Sequence, residues 1–265
     1  KIFEKSTVIS YNYKKDIHIK TKNGSVSCGK LVFAINAWTP NFLPFLSRSA
    51  VLVSSDMIIS EPIKYQLQSL GLNNGLVILD SNLFTHYSRT TPDGKIILGK
   101  GGNTFSFRNK VIDSFDGPST IEKLLKKSLL SFYPSLKDAK ITTSWNGPSE
   151  RTKTGFPFFG YHPKNKNISY AFGYSGNGVL TCHVGGEILS SMTLDENNKW
   201  TDSNFCKGPL KNFPPEPFRW LGAMIIRNAV RRKENAQEKE INPKWIDKQL
   251  AKIAVSVGRV DFEKK

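Results

Sequence analysis

Apolar and polar positions alternate through the first thirty residues in the manner of short antiparallel strands. The alternation predicts strands over 6–10 and 16–21, with Ser25–Cys28 returning after Asn23-Gly24, a strong signal for a tight hairpin. The continuous apolar run Lys30–Ile35 then predicts a strand that is buried on both faces.

The centre of the chain continues with strands and one amphipathic helix. A strand is predicted over 51–60, and a second hairpin over 84–99 turns at Thr91-Pro92-Asp93-Gly94. Apolar residues at helical spacing predict a helix over 120–132, with Ser119 or Thr120 as its cap.

The segment that says most about chemistry is a glycine-rich turn between a predicted strand and a predicted helix. The strand at 168–170 is followed by the glycine-rich stretch 171–179, and a helix is predicted over 180–192. Glycines let a ligand approach bare backbone, and the free N–H groups that begin a helix favour an anion or an electron-rich oxygen. This G-x-x-G-x-G spacing differs from the dinucleotide fingerprint, so the alternatives are a ligand site and a tight structural connection.

Beyond residue 192 the character of the chain changes. Four prolines between 209 and 217 predict an extended linker, and helical spacing returns over 219–234 and 243–253. The first of these helices carries a basic face, so we expect a helical basic tail.

Charge and cysteine content narrow the classes of function. The 265 residues carry a formal net charge of +16, from 38 Lys and Arg against 22 Asp and Glu. Such an excess attracts anions, but the basic residues are scattered except for Arg231-Arg232-Lys233, which argues against a nucleic-acid-binding protein. The three cysteines lack C-x-x-C spacing, so we expect a cytoplasmic protein without a disulfide framework or a metal site. Apolar runs are too short for a membrane span.

An ordered set of motifs gives the chain a family resemblance. The set consists of Asn23-Gly24, Lys30–Trp38, Met57–Pro62, Tyr87-Ser88-Arg89, Ile96–Gly102, Trp145-Asn146-Gly147, Pro157–Gly160 and Gly173–Gly178. In this order the motifs resemble the FAD-dependent amine and amino-acid oxidoreductases of the D-amino-acid oxidase type, which include glycine, sarcosine and γ-glutamylputrescine oxidases. The resemblance covers about residues 2–234.

The resemblance departs from that family at one point. The family's opening βαβ unit carries G-x-G-x-x-G and an acidic ribose-binding residue, and neither is found here. We therefore expect a fragment that corresponds to the C-terminal two-thirds of such an enzyme, with the N-terminal FAD-binding segment as its missing partner.

The resemblance implies a fold of the α+β or α/β class. The expected parts are a Rossmann-like FAD-binding domain of the GR2 type, in two pieces over 1–46 and 138–195, and an antiparallel-sheet substrate domain over 47–137. The Pro-rich linker and helical basic tail occupy 196–265.

The resemblance also implies which residues contact FAD. The expected contacts are Ala34, Asn36, Ala37, Trp38, Gly173, Tyr174, Ser175, Gly176, Asn177, Gly178 and Val179. The turn faces the flavin pyrimidine, where its N–H groups and the helix N-terminus hold the N1/O2 edge. A side chain at Gly176 or Gly178 would meet the flavin or strain a positive φ. The family often has glycine at the position of Asn36, and core packing is the alternative role for Trp38.

Three residues are expected to bind the substrate. Tyr87 and Arg89 alternate on one predicted strand and so share a face, and an arginine fork suits a carboxylate. Arg151 is placed to reach an acidic substrate from a loop. The alternative for each arginine is an ordinary solvated surface charge, and His86, on the opposite face, is expected to be structural.

The function implied is FAD-dependent oxidation of an amine or amino acid to an imine, by hydride transfer to flavin N5. Two alternatives stay open. The chain could be a non-catalytic, degenerate fragment that acts as a binding or assembly module, or, less favoured, a basic nucleic-acid-binding protein.

Overall fold

The computed structural model describes residues 1–209 and 211–255 and shows two compact units. The first unit consists of Lys1–Ala50 and Glu150–Phe213, and the second of Val51–Ser149 together with the described residues from 214 to 255. Both units are therefore built from two separate stretches of sequence.

The described residues form strands and helices in a mixed order. The strands are β1 (Val8–Asn12), β2 (Ile17–Thr21), β3 (Ser25–Cys28), β4 (Leu31–Phe33), β5 (Ala50–Ser60), β6 (Val77–Leu79), β7 (His86–Thr90), β8 (Ile96–Phe105), β9 (Ile141–Thr152), β10 (Phe158–His162) and β11 (Asn165–Phe172). The helices are α1 (Thr39–Phe42), α2 (Lys64–Ser69), α3 (Glu122–Phe132), α4 (Gly178–Thr193), α5 (Phe218–Glu238) and α6 (Trp245–Val255).

The first unit contains two three-stranded sheets. One is the antiparallel sheet β1-β2-β3, and the other has the order β10-β11-β4. In the second sheet β10 pairs antiparallel with β11, whereas β4 pairs parallel with β11 and places Phe33 opposite Tyr170. Buried apolar residues on β4, β10 and β11 form one core cluster, and α4 packs its buried Ile188 and Met192 against Phe159 and Ala171 in another.

The second unit is organised around a five-stranded sheet of order β6-β7-β8-β5-β9. The β5–β8, β8–β7 and β7–β6 pairs are antiparallel. One face of this sheet carries Ile58 and Leu98, which are buried against apolar residues of α2 and α3, Leu67 and Leu125 among them. The sheet therefore has one face packed in a core, as antiparallel sheets commonly do.

The C-terminal helices pack within the second unit. Trp220 Nε1 of α5 donates to Phe105 O at 3.1 Å, and Arg227 Nη1 donates to Asn103 O at 3.0 Å, so α5 binds the end of β8. Arg232 of α5 pairs with the buried Asp247 of α6 at 2.6 Å. The expected basic tail is thus an α-helical hairpin that uses several of its arginines internally.

Most of the elements predicted from the apolar pattern are confirmed, with two exceptions of detail. The predicted strand Lys30–Ile35 is shorter, because only Leu31–Phe33 pairs with β11 and the next three residues are exposed. The helix predicted over 120–132 begins at Glu122, with Ile121 at the N-cap position and no side-chain capping hydrogen bond. Ser119 lies two residues before that position, where its hydroxyl accepts the Ile121 N–H at 3.2 Å and donates to Asp56 at 2.8 Å.

The two units also differ from the expected domains. Residues 138–149, expected in the FAD-binding domain, belong to the second unit because β9 pairs beside β5. The expected separate domain 196–265 is divided, with 196–213 in the first unit and the C-terminal helices in the second. Within the described residues, no helix combines the length and the apolar character that a bilayer crossing requires.

Candidate functional site

Two segments of the predicted site meet at one edge of the β10-β11-β4 sheet. Because β4 and β11 run parallel with Phe33 opposite Tyr170, both strands end at the same edge. Ala34–Trp38 follows β4, and Gly173–Val179 follows β11. Ligands of open α/β sheets bind beyond the carboxyl ends of parallel strands, so this topology brings together the two sets of residues expected to contact the cofactor.

The turn after β11 has a backbone that few side chains allow. Gly173 and Gly176 both have a φ of +88°, and Ser175 between them has a φ of +55°. Such left-handed conformations are natural for glycine and costly for most other residues. The glycine pattern of the sequence is thus explained at residues 173 and 176 by backbone geometry.

The buried carboxyl group of Glu150 forms a hydrogen bond to the backbone of the turn. Glu150, near the end of β9, is only 3% exposed, and its Oε1 accepts the Tyr174 N–H at 2.9 Å. Burial raises the pKa of the Glu150 carboxyl above its usual range, against the opposing effect of backbone hydrogen bonds. The Glu150 carboxyl group therefore serves to hold the turn in its conformation.

Hydrogen bonds that involve Thr152 and the Ser175 hydroxyl also stabilise the turn. The Thr152 N–H donates to Ser175 Oγ at 3.1 Å, and Ser175 Oγ in turn donates to Gly173 O at 3.1 Å. The Thr152 and Ser175 hydroxyls lie 3.2 Å apart. Because Ser175 is buried and its oxygen is used on both sides, this residue has a structural role inside the turn.

Arg151, which was expected on a loop, is the penultimate residue of β9 and lies against the turn. Its guanidinium donates through Nη1 to Ser175 O, and it occupies the space beside Gly176, where an added Cβ would lie 2.1 Å from Nη1. The structure therefore places this predicted substrate-binding residue with the residues expected to contact the cofactor.

The amino end of α4 presents open backbone and bare apolar surface. Asn177 at its N-cap makes no side-chain capping hydrogen bond, so the first N–H groups of the helix have no side-chain acceptor there. Val179 is fully exposed at 102% and Leu180 is 81% exposed. This end of a 16-residue helix combines hydrogen-bond donors, a positive dipole end and apolar contact area.

Gly178 differs from the other two turn glycines. An added Cβ there would meet nothing closer than Cys182 Sγ at 3.8 Å, and its φ is not in the left-handed region. The expectation that Gly178 excludes a side chain therefore finds no basis within this chain, so any intolerance there has to come from a bound molecule.

The segment after β4 matches its expected role in part. Asn36 is exposed and has a φ of +49°, a conformation that suits glycine. Ala37 is 2% exposed and so presents no side-chain surface, whereas Trp38 is 44% exposed. The partial exposure of Trp38 speaks against simple core packing, and Ala34 is also exposed.

Tyr87 and Arg89 lie in the second unit, on the face of β7 opposite the core. Tyr87 OH lies 2.6 Å from Ser55 Oγ, and its ring covers Gly99, where a Cβ would lie 2.1 Å from the ring. Arg89 pairs in register with Val77 and Ile97 and is exposed. The predicted sharing of a face is confirmed.

His86 has the structural role expected of it. Its Nδ1 lies 2.6 Å from Asp80 Oδ2 and its Nε2 lies 3.1 Å from Ser128 Oγ, all in the second unit. Burial lowers the pKa of its imidazole, and the neighbouring positive charge of Lys100 lowers it further, against the raising effect of Asp80. No group of three potential metal ligands occurs among the described residues.

Glu150 and Thr152 are the turn residues that sequence reasoning missed. Strand alternation could have indicated them, because residues 150 and 152 lie on one face of β9, on either side of Arg151. The alternation could not identify their hydrogen-bond partners, because Tyr174 lies 24 residues beyond Glu150 and Ser175 lies 23 residues beyond Thr152.

These residues fit part of a flavin. Uncapped N–H donors, glycine backbone and exposed apolar surface suit an electron-rich heteroaromatic edge. The G-x-G-x-x-G phosphate-binding sequence does not occur among the 265 residues, so the fit concerns the ring portion alone.

Comparison with known proteins agrees with this geometry. The chain is 26% identical over 229 residues to γ-glutamylputrescine oxidoreductase of Escherichia coli, covering 84% of this chain and 51% of that protein. It is 24% identical over 206 residues to glycine oxidase of Bacillus subtilis, covering 75% and 51%. The crystal structure of glycine oxidase from Geobacillus kaustophilus shares the fold, with a TM-score of 0.61 and 16% identity over 77% of this chain and 52% of that one.

The chain thus spans about half the length of the curated relatives it matches. The profile of the FAD dependent oxidoreductase family, DAO, matches residues 1–192, which include both segments at the parallel edge. Enzymes of that family depend on FAD. By this match over most of its length, the chain belongs to the DAO family of FAD-dependent oxidoreductases.

Proposed function

We propose that this chain supplies the flavin-facing edge and the substrate sheet of an enzyme that oxidises the C–N bond of an amine or amino acid. The observation that carries the proposal is the parallel edge where the segment after β4 meets the turn Gly173–Asn177 and the uncapped start of α4. The names of the relatives, a glycine oxidase and a γ-glutamylputrescine oxidoreductase, support this class of substrate.

FAD, when bound, supplies the acceptor for a hydride from the carbon beside the amine, which leaves an imine. The residues of this chain would orient the flavin ring and polarise it. The N–H groups at the start of α4 would donate to an electron-rich edge of the flavin ring, and the positive end of the helix dipole would favour negative charge there. Glu150 and Thr152 hold the turn that precedes these donors, through the Tyr174 N–H and Ser175 Oγ.

The substrate is proposed to lie against the outer face of the five-stranded sheet. That face carries Tyr87 and Arg89 together with half-buried apolar residues of β5 and β8, namely Met57, Ile59 and Ile97. Apolar side chains that stay partly exposed on the outer face of a sheet are typical of a surface that something covers. Arg89 is proposed to pair with an anionic group of the substrate, and Arg151, held to the turn, contributes positive charge beside the flavin position.

The phosphates of FAD need residues that this sequence does not provide. We propose that a segment with the G-x-G-x-x-G sequence completes the site, either in the same gene product or as a separate chain. This chain alone then binds FAD weakly, through the ring contacts at the α4 N-terminus.

Nuclear magnetic resonance can detect such weak binding on the chain as it stands. Adding FAD to the ¹⁵N-labelled protein is expected to shift the amide signals of residues 176–180. Gly178→Ala is expected to abolish these shifts while leaving stability unchanged, because the chain itself has room for the methyl group. Gly186→Ala on the same helix, where nothing lies within 4 Å, is the matched control and keeps the shifts.

A folded protein whose turn amides do not respond to millimolar FAD contradicts the proposal and favours a non-catalytic binding or assembly module. Catalysis is tested after adding the G-x-G-x-x-G segment, with glycine and γ-glutamylputrescine as candidate substrates and bleaching of the flavin absorbance as the readout.

A further inference from the structure

The second unit contains a cleft of which the proposed function uses only one lining residue, Arg89. It lies between α2 and the hairpin turn that joins β7 to β8, and it encloses about 510 Å³. Its polar lining comes from Lys64, Gln68, Asn73, Arg89 and Thr91, and Leu67 supplies apolar floor. We call it the α2–hairpin cleft.

The charge in the α2–hairpin cleft is of one sign. Lys64 and Arg89 both line it, and its lining includes no Asp or Glu. Among the described residues, no carboxylate forms an ion pair with either cation. The acid of the adjacent turn, Asp93, is already engaged, since its Oδ2 lies 2.7 Å from Lys95 Nζ. Two cations without a partner beside one cavity favour an anion.

The position of Lys64 is fixed by a close approach of backbone. The Ile63 N–H donates to Gly94 O at 2.7 Å, which ties the start of α2 to the hairpin turn. The stem of Lys64 lies over Gly94 so closely that an added Cβ would be 2.1 Å from Lys64 Cγ. Gly94 has a φ of +81°, so both the turn and this packing favour glycine.

The rest of the lining sets the kind of anion. The side-chain amides of Gln68 and Asn73 are exposed donors at the cleft. The geometry points to a binding site for a small molecule with a carboxylate or phosphate group, held between Lys64 and Arg89. An arginine fork beside a lysine suits a group that carries more than one anionic oxygen.

The α2–hairpin cleft shares Arg89 with the substrate role proposed for the outer face of the sheet, and to that extent the inference rests on the proposed function. Tyr87, the other residue of that role, is absent from its lining, and its hydroxyl faces Ser55. The inference does not depend on FAD, so a failure of flavin binding at the α4 N-terminus leaves it untouched.

Titration of the purified chain with inorganic phosphate, and separately with the dicarboxylate glutarate, tests the site at constant ionic strength. Saturable binding is expected, with amide shifts at residues 64–68 and 89–94. Loss of one of two charge-assisted contacts is expected to weaken binding about tenfold in Lys64→Gln and in Arg89→Gln. Both side chains are exposed, so both variants are expected to fold, which circular dichroism verifies.

The matched control is Lys126→Gln, which removes an exposed lysine of α3 that does not line the cleft. It is expected to bind both probes as the parent does. Equal weakening in all three variants would reduce the effect to net charge and overturn the site, as would the absence of saturable binding by either probe.

A competition experiment separates two sources of the anion. If glycine displaces phosphate, the α2–hairpin cleft receives the carboxylate of an amino acid. If phosphate stays bound in the presence of glycine, the cleft serves a separate anionic ligand. Both results support the site and differ only in the identity of its natural occupant.

Discussion

The turn Gly173–Asn177 and the α2–hairpin cleft are built in opposite ways. The turn is fixed by buried groups, since Glu150 and Ser175 are both buried and hydrogen-bonded to it. The cleft presents the exposed side chains of Lys64 on α2 and Arg89 on β7. One site is therefore specified by backbone geometry and the other by side-chain charge.

This difference teaches which substitutions each site tolerates. A backbone site fails when its supports are removed, because the supporting groups are also part of the folded core. A charged exposed site changes its ligand preference without a cost to folding, because surface substitutions alter stability little. The predictions at Gly173, Glu150 and Arg89 test this contrast, and together with one at His86 they are ordered from the largest expected effect to the smallest.

The largest effect is expected at Gly173. Gly173→Ala places a Cβ 2.3 Å from Thr152 Cγ2 and 3.2 Å from Phe158 Cε1 at a φ of +88°. Backbone strain and overpacking together are expected to lower the free energy of unfolding by about 2–5 kcal/mol. Urea denaturation measures the loss. Gly186→Ala, in open space within α4, is expected to be neutral or slightly stabilising, and similar losses in both variants would contradict this explanation.

The next effect is expected at Glu150. Glu150→Ala leaves the Tyr174 N–H without its acceptor and is expected to cost about 1–3 kcal/mol of unfolding free energy. Glu150→Gln keeps an acceptor oxygen and is expected to cost less. If the alanine and glutamine variants are equally stable, the hydrogen bond is not what holds the turn.

The third prediction concerns pH and His86. The folded-state pKa of this imidazole lies below its usual value near 6.5, so below that value the unfolded chain binds the proton more readily than the folded chain. Stability is therefore expected to rise with pH up to about 6.5 and to fall as the solution is made more acidic. His86→Gln is expected to flatten this part of the curve of unfolding free energy against pH. A curve unchanged by the substitution would assign the pH dependence to other groups.

The smallest effect on stability is expected at Arg89. Arg89→Gln is expected to change the unfolding free energy by no more than about 0.5 kcal/mol, because the side chain is exposed and pairs with no carboxylate of the described residues. Thermal denaturation checks this. A loss comparable to that of Glu150→Ala would show that Arg89 supports the fold and would remove the contrast between the two sites.

The local sequence pattern predicted most helices and strands, but it did not predict which elements pack or pair with one another. The hairpin at Asn23-Gly24 and the helix after the glycine-rich turn are confirmed because turn residues and apolar periodicity act within a few residues. The exposed start of α4 was predicted as a ligand-facing end from the same local signals. The shortening of the strand at Lys30–Ile35 was not predictable, because its length depends on how far β11 runs beside it.

Arg151 shows what charge alone leaves undetermined. The sequence indicated a loop residue, whereas the structure places Arg151 on β9 with its guanidinium donating to Ser175 O. Its role toward an acidic substrate stays a prediction. A similar case is the basic C-terminal segment, whose Arg227 and Arg231 bind Asn103. The sequence lists the charged residues but does not show which of them form hydrogen bonds within the protein.

The sequence by itself determined the family, the strand–turn–helix at Gly173–Val179 and the alternation that puts Tyr87 and Arg89 on one face, since each is encoded by residues close together in the chain. Only the tertiary structure decided that Glu150 supports the turn, that Gly178 has room for a side chain and that Lys64 joins Arg89 in a cleft. These facts depend on residues brought together across long stretches of chain, and no local periodicity records such contacts.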